Sequence, residues 1–133
     1  MGNFQAVYYR APDGSEPVSD FIDRLSVKRQ VVLDNQIDRL NILNPSSPHL
    51  HFPHSSQIEG ELRELRCHFG RELYRVLYRR SGNLMVLLHI FRKDTGKVPA
   101  VECEVAKERW RDFKARMDAP RRQPPRAAGH DAP

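Results

Sequence analysis

Nine basic side chains lie between Gly60 and Lys97: Arg63, Arg66, Arg71, Arg75, Arg79, Arg80, Arg92, Lys93 and Lys97. They face four acids, Glu61, Glu64, Glu72 and Asp94, while the rest of the 133-residue chain balances 13 basic against 13 acidic residues. A neutral body with one basic segment suits a polyanionic partner, because clustered Arg and Lys neutralise phosphates. A merely solvated basic sheet surface would have the same composition. Metal-free cleavage of RNA needs a base for the 2′-hydroxyl, cations for the charged phosphorane and an acid for the leaving oxygen. Arg75, flanked on its own strand face by Leu73 and Leu77, is the strongest candidate cation. Arg66 on the preceding strand, and Arg92 with Lys93 at the end of the following one, are expected to converge with it on one phosphate. His89 is the histidine that the pattern puts on a strand here, and its ordinary pKa suits proton transfer. A half-buried packing histidine fits the same position. Arg63, Arg71, Arg79 and Lys97 complete the basic surface as candidate RNA-binding residues.

Other chemistries find less support. His49, His51 and His54 form H-x-H-x-x-H in a proline-rich stretch but bring no further ligand set, so no metal is expected. No glycine-rich phosphate loop or nucleophile elbow occurs, and no small-molecule cofactor is expected. Cys67 and Cys103 are far apart and read as reduced core residues of a cytoplasmic protein rather than as a disulfide. The apolar run Leu84–Phe91 is far short of the roughly 18 residues that span a bilayer, so no membrane partner is expected.

The elements that must position these residues follow from periodicity. Phe4 to Arg10 is rich in aromatic and β-branched residues and ends at Pro12-Asp13-Gly14, which predicts a strand followed by a turn. Ser15 can cap a helix carrying Val18, Phe21, Ile22 and Leu25 at helical spacing. A second helix carries Leu33, Ile37 and Leu40 and stops before Asn44-Pro45. Pro45 to Gly60 reads as a long surface loop. Three strands follow, Leu62–Cys67, Glu72–Arg80 and Leu84–Arg92, the last two joined by Ser81-Gly82-Asn83, and short connections make them antiparallel. Alternation along the middle strand turns Tyr74, Val76 and Tyr78 one way. Arg71, Arg75 and Arg79 turn the other way, as a ladder of arginines separated by leucines.

From Ala100 to Met117 the pattern is helical again, with Cys103, Ala106, Trp110, Phe113 and Met117 on one seam. Trp110 lies on that seam and reads as a packing aromatic rather than a base-stacking one. The expectation is one α+β domain over residues 1–117, in the order strand, helix, helix, three antiparallel strands, helix, with its helices on one face of a small twisted sheet. Residues 118–133 are expected to form a disordered tail, whose Arg121–Arg126 stretch is solvated or touches RNA or a partner.

In order, Glu64-Leu65-Arg66, Tyr74-Arg75-Val76-Leu77-Tyr78, Leu87-Leu88-His89-Ile90-Phe91-Arg92-Lys93 and Glu104-Val105-Ala106-Lys107 resemble the phage-derived HigB-like branch of the RelE/ParE toxin superfamily. The resemblance implies a RelE-like fold and the toxin half of a type II toxin–antitoxin pair. Such a toxin is a metal-independent endoribonuclease that cuts mRNA on the ribosome and is neutralised by a helix-turn-helix antitoxin. It carries the arginines of the family's motifs onto Arg66 and Arg75, and its basic pair onto Arg92 and Lys93. Several RelE-type toxins use a tyrosine near the last helix for proton transfer. This sequence has none after Tyr78, so the role falls to His89 or to another group, or the nuclease is weak or absent. Two alternatives stay open: a ParE-like inhibitor of DNA gyrase, and a non-catalytic basic binding domain of the same fold.

Overall fold

The computed structural model describes residues 2–119 and 123–130. Its elements run β1 (Gln5–Tyr8), α1 (Pro17–Asp23), α2 (Val27–Asn41), β2 (Ser55–Glu59), β3 (Leu62–Phe69), β4 (Glu72–Ser81), β5 (Leu84–Arg92) and α3 (Ala100–Met117). The strands form one mixed five-stranded sheet in the order β1-β5-β4-β3-β2, with β1 parallel to β5 and the other pairings antiparallel. Among the described residues no helix is long and apolar enough to cross a membrane.

Local chemistry accounts for most boundaries. Pro17 opens α1 with a φ already suited to a helix, and the cap position is Glu16 rather than Ser15. The backbone N–H of Ser15 instead donates to Asp13 in the preceding turn, at 2.9 Å. Ser26 caps α2 by accepting from the Arg29 N–H, and Leu33, Ile37 and Leu40 form its buried stripe. Gly82 turns the β4–β5 hairpin at φ 59°, in the left-handed region where a Cβ is disfavoured.

The predicted loop over 45–60 is corrected at its end, where Ser55–Glu59 pairs antiparallel with β3. This edge strand lacks an apolar face. It is held instead by the Ser55 hydroxyl, buried 2.7 Å from the Tyr78 hydroxyl, and by ladder bonds. The expectation of helices on one face also fails. One core lies between the sheet and α1 and α2, with Val18, Ile22, Leu33, Ile37 and Leu40 against Tyr8, Leu65, Val76 and Leu87. A second lies on the opposite face, where Cys103, Ala106 and Phe113 of α3 cover Val7, Leu77, Val86 and Leu88. The physical reason is β5: as a central strand apolar on both sides, it needs cover on both. Cys67 and Cys103 are free and buried, one in each core.

A disordered tail over 118–133 is likewise corrected where the chain is described. Residues 120–122 and 131–133 lie outside the described residues. Residues 123–130 form a strap along β1: the Tyr8 N–H donates to the Arg126 carbonyl and the Ala128 N–H to the Ala6 carbonyl, at 2.9 and 2.8 Å. Ala128 is buried in the first core, and the Arg126 guanidinium pairs with Glu16 at 2.9 Å. The strap satisfies the outer edge of β1, which would otherwise present unpaired backbone groups. Each backbone bond is worth about 1 kcal/mol net, and the Ala128 methyl slightly less. Truncation after Ala119 is therefore expected to cost roughly 3 kcal/mol in urea unfolding. An unchanged midpoint would show that the strap contributes nothing.

Candidate functional site

The β3–β4 register sets Arg66 directly opposite Arg75, and Glu64 opposite Leu77, all on the α3 face. Like charges facing each other across a ladder repel. Glu64 offsets both. Its Oε1 accepts from Arg66 Nη1 at 2.9 Å and from the Ser56 hydroxyl at 3.0 Å, while its Oε2 lies 3.8 Å from Arg75 Nη1. Glu64 and Arg75 are only 3% and 2% exposed, so this is an ion pair inside the protein. It is also incompletely satisfied: Glu64 Oε2, Arg75 Nε and Arg66 Nε are buried without a hydrogen-bond partner among the described residues. Groups of this kind are costly to leave unpaired, which makes this pair the candidate centre of a site.

The pair forms the floor of a cleft of about 390 Å³. One wall is Ser56, Gln57 and Ile58 of β2, and the other is Gly96, Lys97 and Val98 of the loop between β5 and α3. Lys97 is exposed on the rim, and the Lys93 ammonium lies against Gly96 in the same loop. The cleft thus brings a carboxylate, a buried guanidinium and an exposed ammonium group to one hollow.

The other predicted site residues go elsewhere. His89 is turned onto the α3 face by a register shift in which Leu77 pairs with His89 but Tyr78 pairs with Leu87. There its Nε2 lies 3.2 Å from Glu102 and its Nδ1 3.2 Å from Arg109, both on α3, and its ring stacks on Phe91. Burial depresses its pKa, Glu102 opposes that shift, and Arg109 adds to it. Both nitrogens are engaged in holding α3.

Arg92 is opposite Tyr74 and so on the α1 and α2 face, away from Arg75. It forms a two-pronged pair with Asp94 at 3.0 Å and reaches Glu72 at 3.3 Å, while Arg29 and the Tyr74 hydroxyl also bind Glu72. Hydrogen bonds from Arg29 and then Tyr74 hold the Glu72 pKa down at about 2. A folded-state value below the ordinary one means that this network stabilises the fold above about pH 4.5. The stabilisation is lost as pH falls toward 2. Glu72→Gln is expected to flatten the acid limb of the melting-temperature profile, and an unaltered limb would remove Glu72 from it.

The expected exposed ladder of arginines is also absent. Arg71 sits exposed in the β3–β4 turn, Arg75 is buried, and Arg79 packs its guanidinium 4.4 Å from the Trp110 ring while pairing with Glu61. Arg63 lies on the α1 and α2 face, opposite Tyr78, and binds the Leu50 carbonyl. Of the nine predicted residues, Arg75 and Lys97 line the cleft, Arg66 pairs with Glu64 at its floor, and Lys93 lies against Gly96 of its wall. Glu64 was missed as a chemical group, although its place two residues before Arg66 puts both on one strand face. Among the described residues no three or more His, Cys, Asp or Glu side chains are grouped to hold a metal ion.

Residues 20–111, about two thirds of the chain and including every side chain of this cleft, match the phage-derived Gp49-like proteins. The chain belongs to the Gp49-like family. Gp49-like proteins are associated with the toxins of toxin–antitoxin systems, which implies an antitoxin partner. No curated protein matches the chain. The matched span leaves out β1 and the strap, so the Gp49-like region is centred on α2, the β2–β5 sheet and most of α3.

Proposed function

We propose that this chain is a HigB-like toxin of the RelE/ParE superfamily and an endoribonuclease that cuts mRNA on the ribosome, with the Glu64–Arg75 cleft as its active site. The observation that carries the reading is the Glu64–Arg75 pair at the cleft floor, a carboxylate and a guanidinium 3.8 Å apart, the group types that phosphodiester transfer requires of a base and an oxyanion donor. Glu64 takes the proton of the 2′-hydroxyl, and the 2′-oxygen attacks the adjacent phosphorus. Arg75, held rigidly, and Lys97 bind the non-bridging oxygens as negative charge builds on them. The 5′-oxygen departs, protonated from water at the open mouth, and leaves a 2′,3′-cyclic phosphate and a 5′-hydroxyl. Glu64 fills the role left vacant by the missing late tyrosine, so His89 is not needed for it. Arg66 positions Glu64, and the neutralising partner is a helix-turn-helix antitoxin.

Induced expression with mapping of transcript 5′ ends tests this reading. Growth arrest with new 5′-hydroxyl ends inside coding regions is expected. Arrest with intact transcripts and a DNA-damage response would overturn it in favour of a gyrase inhibitor.

A further inference from the structure

On the opposite side of β2 from the cleft lies a second hollow of about 400 Å³, lined by Arg63, Arg80 and His49 together with Gln57 and Glu61. Its two guanidiniums both make contacts within the protein. Arg63 Nε donates to the Ser55 and Tyr78 hydroxyls, both at 3.3 Å, and its Nη2 to the Leu50 carbonyl at 3.1 Å. Arg80 Nε donates to the Gly82 carbonyl at 2.7 Å, and its guanidinium lies 4.3 Å from the centre of the Phe4 ring. These contacts use neither Arg63 Nη1 nor either terminal nitrogen of Arg80. Glu61, the one acid lining the hollow among the described residues, accepts from Arg79 at 3.1 Å, and Arg79 belongs to the α3 face. Gln57 lines both this hollow and the Arg75 cleft, so the two are separated by the edge strand alone.

We infer that Arg63, Arg80 and His49 form a second phosphate subsite, which takes a backbone phosphodiester of the RNA strand whose scissile bond lies at Arg75. The inference rests on the proposed function for the identity of the strand, and on its own geometry for the oxyanion. Arginines on a sheet spend binding energy on being ordered, and the contacts already made reduce that cost, more for Arg63 with its three hydrogen bonds than for the exposed Arg80 with one. A strand crossing the β2 edge would be held on both sides of it, which fixes the register of the bond over Glu64 and Arg75. His49 reports on occupancy. Burial, then Arg63 and Arg80, then His51 keep its pKa below the ordinary value, and a bound phosphate would offset the two arginines.

The test follows the His49 ring proton by NMR through a pH titration of the full chain, with and without inorganic phosphate, against chloride at matched ionic strength. His49→Gln assigns the signal. Phosphate is expected to raise the His49 pKa, and Arg80→Gln to abolish that response. No movement beyond that in chloride, or an equal response in Arg80→Gln, overturns the subsite. In a second arm, binding of a 2′-deoxy oligonucleotide that cannot be cut is measured against salt. Arg80→Gln is expected to lower the slope of log K against log salt by about one unit. An unchanged slope means that the hollow is not on the strand's path and overturns the inference. A wild-type chain that shows both responses yet cuts no RNA would support the subsite while removing the proposed function.

Discussion

Arg75→Gln is expected to reduce RNA cleavage by roughly 10²–10³-fold, the usual cost of removing one fixed donor from a developing oxyanion. Among the described residues no other guanidinium is placed to replace it. Arg66 is tied to Glu64, Arg79 is stacked on Trp110, and Arg92 lies on the far face of the sheet. The same change leaves Glu64 Oε2 buried without its cation while Oε1 keeps Arg66 and Ser56. Breaking a buried pair costs about 3–5 kcal/mol, and the retained contacts put this one near 3. Rate and stability must therefore be measured together, by cleavage of a defined transcript and by urea unfolding. Full activity in a folded Arg75→Gln protein would remove Arg75 from the mechanism. Arg92→Gln is the control, expected to cleave like the wild type.

Glu64→Gln carries the second large effect. The amide keeps the size of the side chain and an oxygen for Arg66 and Ser56, but it cannot take a proton, so cleavage falls by roughly 10²–10⁴-fold. Arg75 and Arg66 then face each other without a counter-charge, and the protein is less stable than the wild type. Combining Glu64→Gln with Arg75→Gln separates the two effects. The double variant leaves Arg66 as the remaining cation but removes its repulsion from Arg75, so it is expected to be more stable than Glu64→Gln alone and to show no activity. A stable double variant that still cuts RNA would show that the pair is structural only.

How much of this could be read from the sequence depends on what kind of information each residue carries. Strict alternation sorted β4 correctly, with Tyr74, Val76 and Tyr78 toward the first core and Arg75 with Leu77 away from it. The stripe Leu33, Ile37, Leu40 and the seam of α3 were equally legible, because helical spacing fixes them. Alternation does not reveal an added residue. The shift at Leu88 and His89 moves His89 onto the α3 face, and pairing with Tyr74 puts Arg92 on the other, so the expected convergence of His89, Arg92 and Arg75 does not occur. β2 was hidden because Ser55 is buried through its hydroxyl rather than through apolar bulk. The strap was hidden because its backbone pairs with β1, a contact that its Pro- and Ala-rich composition does not encode. Glu64 was legible as a residue of a motif but not as a reactive group, since its unpartnered oxygen depends on the 3.8 Å gap to Arg75.

The most direct measurement is cleavage of an end-labelled mRNA by the purified chain in a reconstituted translation mixture, read by primer extension with and without ribosomes. Cuts within the translated region that require ribosomes, leave 5′-hydroxyl ends and vanish in the stable Glu64→Gln/Arg75→Gln variant are the expected result. Uncut mRNA with the wild-type chain, or the same cuts with the double variant, would contradict the assignment of this cleft as a ribonuclease site.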